Sequence, residues 1–176
     1  MSRRISMLKR YPKKDFKYNN FIVTFLINKI LKNGKKRLAR RIVYKAFEII
    51  ESRTGKKPMK VVEQAIKNAG PRVRVLLKRG GKKMFPTPAV LNKYGSNQMA
   101  IRWLVDISRL SSGKPMIIKL SNELLDAYKN IGSTIKKKES LHRYAESNKS
   151  YINYKPDKKS GRARKNKYAT SESINY

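Results

Sequence analysis

Set against 11 Asp and Glu, 44 Lys and Arg give this 176-residue chain a formal net charge of +33, and that imbalance limits what it can fold into. Self-repulsion on this scale opposes a compact state formed alone, so a strongly anionic partner is expected. The excess is not confined to the ends. Without residues 1–20 and 155–176 the middle of the chain still carries 30 basic against 8 acidic residues, so the folded body itself is expected to be basic. Nucleic acid is the first candidate partner, because its line of phosphates releases counterions when Lys and Arg replace them.

The length suits one domain with basic extensions, and 39% hydrophobic residues suffice for one small core. There is no Cys, which removes disulfides, thiol chemistry and thiolate zinc fingers. The longest apolar run, Phe21 to Ile27, is broken by Thr24 and followed by Asn28 and Lys29, far short of the roughly 20 residues that cross a bilayer. No membrane partner is expected. The Arg-rich start, with Arg3, Arg4 and Arg10, resembles either an organelle presequence or a phosphate-binding arm, and the retained Met1 favours an arm over residues 1–19.

Periodicity predicts a mainly α, single domain of about six helices over residues 20–154, with one protruding β-hairpin between the third and fourth. The first helix spans about 20–33, with Asn20 as N-cap, Ile22, Phe25, Leu26 and Ile30 on one side, and Asn33-Gly34 as its stop. In the second, Leu38, Ile42, Ala46, Ile49 and Ile50 form the apolar face, and Arg37, Arg40 and Arg41 leave the opposite one. The third opens at Pro58, carries Val62, Ala65, Ile66 and Ala69 inward, and ends at Gly70-Pro71. The period then falls to 2 for a hairpin over about 72–91, turning at Gly80-Gly81, with Pro86 and Pro88 expected to make the return strand irregular or an edge. A lone hairpin is marginally stable, so this arm is expected to rest on a partner.

Helical spacing resumes with Ser96 as cap, Ala100, Trp103, Leu104, Ile107 and Leu110 inward, and Arg102 and Arg109 outward. A fifth helix runs from Pro115 to about Asn130 with Ile117, Leu120, Leu124 and Tyr128 as its stripe. The sixth runs from Ser133 or Thr134 to about Asn148, and Lys136, Lys137 and Lys138 in its opening turn would oppose the helix dipole unless phosphate sits there. From Lys155 the chain is polar and aperiodic, a basic extension expected to be disordered alone.

Catalysis finds no support. Gly34-Lys35-Lys36 lacks the second glycine and the hydroxyl of a P-loop: Lys29 and Lys36 stand in those places. Gly80-Gly81-Lys82-Lys83 reads as a hairpin turn before an anion nest. His142, the single histidine, has no companion for a metal, and is either a helix-surface RNA contact or a satisfied structural group. The pairs Glu48 with Glu51 and Glu123 with Asp126 read as local salt bridges to Lys and Arg rather than as an acid–base couple. No enzyme activity, cofactor, metal or small-molecule substrate is expected. Tyr11, Tyr18, Tyr144, Tyr151 and Tyr154 lie among cations, where they could stack on unpaired bases or simply pack.

One constellation is more specific. Asn20 and Ile22, Leu26-Ile27, Gly34-Lys35-Lys36, Ile42-Val43 and Ala46 keep the spacing of a signature found in the small ribosomal subunit protein seven family. Ala100 to Val105 matches that family's Arg-Trp helix, and Asn122 to Ala127 and Lys136 to Lys149 match its last two helices. The chain thus resembles that family from about residue 3 to 154. It departs at the hairpin tip, where Lys78-Arg79-Gly80-Gly81 replaces the Arg-Arg-Val-Gly-Gly of bacterial members and Pro86 is added ahead of Pro88, and in residues 155–176, to which the resemblance assigns no role.

The resemblance implies a structural protein that binds the three-prime domain of small-subunit rRNA, beside other proteins of the subunit head, with mRNA and exit-site tRNA nearby. By position, Lys35, Lys36, Arg37, Arg102, Arg109 and the arm with Arg3 and Arg4 would hold rRNA phosphates. Arg40, Arg41, Arg72, Arg74, Lys114, Lys136, Lys137, Lys138, His142 and Arg143 join that set. Lys78, Arg79, Gly80, Gly81, Lys82, Lys83 and Lys149 would border the exit path of mRNA and tRNA. Lys at many of these places suits adaptable phosphate contact more than base reading. The rival class is a free basic nucleic-acid-binding regulator, which a stable, RNA-free, monodisperse protein would favour. Abundant Lys, Asn, Ile and Tyr suggest an AT-rich, organelle-encoded chain, and the departures at the hairpin and the extra tail place it first in a mitochondrial ribosome, then in a plastid, then in a bacterium.

Overall fold

Asn20 begins the first helix for a local reason: its side-chain oxygen accepts the Ile22 N–H at 2.9 Å, and its amide nitrogen donates to Glu63 at 2.9 Å. The cap thereby also ties the helix start to the third helix. The computed structural model describes residues 12–80 and 83–152. Arg3 and Arg4 of the expected arm, Gly81 and Lys82 of the expected tip, Tyr11, Tyr154 and the extension from 155 lie outside them.

Six helices follow one another as α1 (Phe21–Ile30), α2 (Lys36–Thr54), α3 (Pro58–Ala69), α4 (Lys93–Leu110), α5 (Met116–Tyr128) and α6 (Ser133–Ser147). A hairpin of β1 (Val73–Gly80) and β2 (Lys83–Val90) stands between α3 and α4, and a 3-10 turn, Lys149–Tyr151, follows α6. None of the described helices is long and apolar enough to cross a membrane.

The core lies among α1 to α5, where Val23, Leu26, Val43, Phe47, Ile50, Leu104, Leu120 and Leu124 are shut off from water. Of α6, Ile135 joins this cluster; among the described residues, the hairpin supplies no member. Two expected faces hold except at one residue each. In α2 the buried positions are Ala39, Val43, Ala46, Phe47 and Ile50, while Leu38 is exposed, because the face turns by one residue to put the Phe47 ring inside, edge-on to Tyr18 at 5.3 Å. In α4 the last residue, Leu110, is exposed, and Ser108 occupies the inner position, its hydroxyl donating to the Leu104 carbonyl.

Helix ends also shift. α1 stops at Ile30, not near Asn33, since Asn33 and Gly34 take positive φ (49° and 71°) in the turn that follows. α4 starts at Lys93, ahead of Ser96, because the Asn92 side chain accepts the Gly95 N–H at 2.8 Å. The three lysines of α6 are not in its first turn. That turn is Ser133-Thr134-Ile135, and Glu123 from α5 accepts both the Thr134 N–H, at 3.2 Å, and the Thr134 hydroxyl. A carboxylate at the positive end of the dipole removes the conflict that the sequence suggested. It also gives Glu123 a capping role in place of the expected local salt bridge.

The hairpin is a continuous antiparallel ladder from Val73 opposite Val90 to Gly80 opposite Lys83, so the return strand is regular and, of the two alternatives expected for it, is the edge of a two-stranded sheet. The Leu91 N–H donates to the Arg72 carbonyl, and this phase puts Pro86 and Pro88 at non-hydrogen-bonded positions, where a missing N–H costs the ladder nothing. The arm also rests on its own chain. Thr87 is buried, and the Phe85 ring meets Tyr151 of the 3-10 turn at 5.6 Å.

Candidate nucleic-acid interface

The turn between α1 and α2 concentrates positive charge by chain geometry alone. Positive φ at Asn33 and Gly34, with the Lys35 N–H bonded to the Lys32 carbonyl at 3.0 Å, brings the chain round in a tight turn. α2 then begins without any side-chain cap, so its unsatisfied N–H groups and the positive end of its dipole coincide with the exposed Lys35, Lys36 and Arg37. Arg40 and Arg41 continue outward on the next turn, also exposed. Few acids oppose this charge: the exposed pairs Lys17 with Glu48 and Arg102 with Asp106 meet only at 3.8 Å, geometry of little energetic weight.

A second cluster is assembled from three elements. Arg74 and Val75 of β1, Met99, Arg102, Trp103 and Asp106 of α4, and Lys137 and Leu141 of α6 line a cleft of about 360 Å³. Its lining mixes apolar side chains with three cations and one acid, and the Lys137 ammonium lies 5.7 Å from the centre of the Trp103 ring. Sequence periodicity placed Trp103 in the core and Lys137 among phosphate contacts; only the tertiary fold joins them.

Other cations serve the fold. Arg109 donates through Nη2 to the carbonyls of Lys29, at 2.8 Å, and Ile30, at 3.2 Å, closing the C-terminal end of α1. Lys138 donates to the Asn68 carbonyl at 2.7 Å, while the Asn68 side chain donates to the Ala127 and Tyr128 carbonyls, so α3, α5 and α6 meet there. His142 takes the structural option: Nε2 accepts the Arg72 N–H at 3.2 Å. Burial first, then Lys138 and Arg72, push its pKa below the usual histidine value, which favours the neutral form that accepts this bond.

The remaining expected positions stand apart from these clusters. Lys78, Arg79 and Lys83 are exposed toward the hairpin end, Lys114 in the turn before α5, and Lys136 and Arg143 on α6, with Lys149 in the 3-10 turn. Asp15 escaped the sequence reading altogether. It is 7% exposed, receives the Tyr44 hydroxyl at 2.9 Å and the Lys17 and Tyr18 N–H groups, and fixes the segment leading into α1. Burial, foremost, and acidic neighbours raise the pKa of Tyr18 and Tyr44. Lone acids in basic segments carry a signal for such a role, though not for the partner.

Comparison with known proteins adds a family to this geometry. Residues 2–149 match the family model described as Ribosomal protein S7p/S5e. The chain is 42% identical over 155 residues to the small ribosomal subunit protein uS7 of Synechococcus elongatus, covering 88% of this chain and 99% of the relative. It is 43% identical to that of Thermosynechococcus vestitus over the same shares. Against the small ribosomal subunit protein uS7c of Trieres chinensis it is 44% identical over 143 residues, 81% of this chain and 90% of the relative.

Proposed function

The chain belongs to the ribosomal protein S7p/S5e family, and from that premise we propose that it is a structural protein of the small ribosomal subunit, working in translation by binding small-subunit rRNA. The observation that carries the rRNA reading is the exposed Lys35-Lys36-Arg37 group at the uncapped start of α2. Backbone N–H groups, dipole and side-chain cations converge there on a space that phosphate suits. Arg40, Arg41, Arg102, Lys136 and Arg143 extend this contact. Arg109, Lys138 and His142 each spend one polar atom on a bond within the fold and add to the contact with what remains.

Within this proposal, residues 20–154 form the rRNA-binding body, 1–19 an added basic arm and 155–176 a peripheral extension. Neighbouring head proteins complete the setting, and Lys78, Arg79, Lys83 and Lys149 face the exit path of mRNA and tRNA. The composition suits an organelle-encoded chain and the departures at the hairpin and in residues 155–176 favour a mitochondrial ribosome, while the relatives compared are bacterial and plastid-type proteins, which support the ribosome and not that compartment.

Binding of the full chain to an rRNA three-prime-domain fragment tests the central reading. With on the order of 6–10 phosphates engaged, affinity is expected to fall about 10³–10⁵-fold between 50 and 200 mM salt. Replacing Lys35, Lys36 and Arg37 together by Ala is expected to weaken binding strongly and leave helix content unchanged. A flat salt dependence, or equal loss from a matched triple change at Lys158, Lys159 and Arg162, would overturn it.

A further inference from the structure

The cleft between β1, α4 and α6 has a chemistry different from the α1–α2 turn, and we infer that it holds one unpaired RNA base. This rests on the rRNA reading above and sharpens it. A phosphate needs donors and no apolar floor, and a duplex presents an outer surface of phosphates and sugars with its base faces stacked away. The cleft instead combines the apolar side chains of Val75, Met99 and Leu141 with the cations Arg74, Arg102 and Lys137, and the largely buried Trp103, 9% exposed, lies in its wall under the Lys137 ammonium. Its volume of about 360 Å³ accommodates a single base with its sugar. An extruded base lays one flat face against Met99 and Leu141 while the phosphates on either side meet the three cations.

Asp106 adds selectivity. It is the one acidic side chain lining the cleft, and its carboxylate, only loosely paired with Arg102 at 3.8 Å, is an acceptor pair beside an otherwise donor-rich rim. Guanine presents two adjacent donors, N1–H and N2–H, on the edge that an unpaired base leaves free. The matching edges of uracil, cytosine and adenine each present fewer adjacent donors to a carboxylate. The cleft therefore takes an unpaired guanine in preference to the other bases.

Trp103 is the chain's single tryptophan, so its fluorescence reports on this cleft alone. The full-length protein is titrated with a short oligouridylate carrying one central guanosine, and separately with an RNA duplex of equal length, while anisotropy of labelled RNA follows total binding. The single strand is expected to quench Trp103 in step with binding; the duplex is expected to bind without doing so. Met99→Gln, which keeps size and charge, is expected to weaken single-strand binding about tenfold, the worth of one stacked base, and to leave duplex binding unchanged. Asp106→Asn is expected to abolish the preference for guanosine over an all-uridine strand. Saturating single-strand binding with no quench, or equal quench by the duplex, overturns the base pocket while leaving the rRNA reading intact. Loss of both bindings in the unaltered protein overturns the two together.

Discussion

Phe47 and Ile50 sit among α1 to α5 with no access to water, whereas the residue just ahead of β1 is held to α6 by the bond from the Arg72 N–H to the His142 ring. The helical body draws its cohesion from buried apolar area, which changes little with pH or salt near room temperature. The hairpin side supplies no member of the buried apolar cluster among the described residues and relies on partly polar contacts, with Thr87 buried and Phe85 against Tyr151 among its anchors. Regions of that kind open at lower free energy than a core does. The comparison teaches where a chain this basic can be left responsive: on the side that carries the base-sized cleft, not in the scaffold beneath it.

Truncating the core puts the largest strain on this contrast. Phe47→Ala removes a fully buried ring and is expected to cost about 3–5 kcal/mol. Leu77→Ala on β1, at a side chain 63% exposed, is expected to stay within about 0.5 kcal/mol. Urea denaturation of both variants measures the difference. Equal losses would mean that the hairpin is as much a part of the core as α2.

The segment before α1 belongs to the body, yet a polar group holds it. Tyr44→Phe leaves the buried Asp15 carboxylate with the Lys17 and Tyr18 N–H groups but without the hydroxyl that reaches both its oxygens. The expected cost is about 1–3 kcal/mol. Because the folded state raises the pKa of Tyr18 and Tyr44 above 10.0, the stability they lend is full below that pH. It is lost as pH rises through their folded values, since the unfolded chain releases its protons first. An alkaline stability profile of the full chain is expected to fall above pH 10.0, and less steeply in Tyr44→Phe; identical profiles would refute the assignment to Tyr44.

The hairpin side is expected to respond at the other end of the scale. His142 has a folded pKa below its ordinary 6.5, so its contribution is present above that value and is lost as pH falls through the folded one. Amide exchange across residues 73–76, corrected for intrinsic rates, is expected to accelerate relative to α2 as pH drops below 6.5. His142→Gln keeps an acceptor and removes the titration, and is expected to abolish that acceleration. An unchanged response in this variant would place the switch elsewhere.

These two regions also differ in how far the sequence revealed them. The α1–α2 turn was legible because its parts are consecutive: Asn33 and Gly34 take positive φ, and three cations follow. The cleft was not, because Arg74, Arg102 and Lys137 come from separate elements and only tertiary packing gathers them. Lys136, Lys137 and Lys138 make the point most directly. As a run they look equivalent, yet one is exposed, one lies over Trp103 and one binds the Asn68 carbonyl. The helix register assigns those roles, and a shift of one residue, like that between Leu38 and Ala39 in α2, is finer than apolar spacing resolves. His142 left two readings open for the same reason: its partner, the Arg72 N–H, lies on another element.

The smallest expected effect distinguishes hydroxyls on the two sides. Thr87 of β2 is 2% exposed, and its Oγ1 finds no hydrogen-bond partner among the described residues; Ser108 of α4 is equally buried but donates to the Leu104 carbonyl. Removing an unpartnered hydroxyl while keeping its shape relieves a desolvation penalty, whereas removing a bonded one forfeits the bond. Thr87→Val, which retains the β-branched fit to the strand, is accordingly expected to be neutral or to stabilise by up to about 1 kcal/mol. Ser108→Ala is expected to destabilise by about 1 kcal/mol. Thermal unfolding of the pair checks the sign. A clear loss in Thr87→Val would show that its hydroxyl is satisfied through a bridging water, and the hairpin would then be fastened more firmly than its direct contacts indicate.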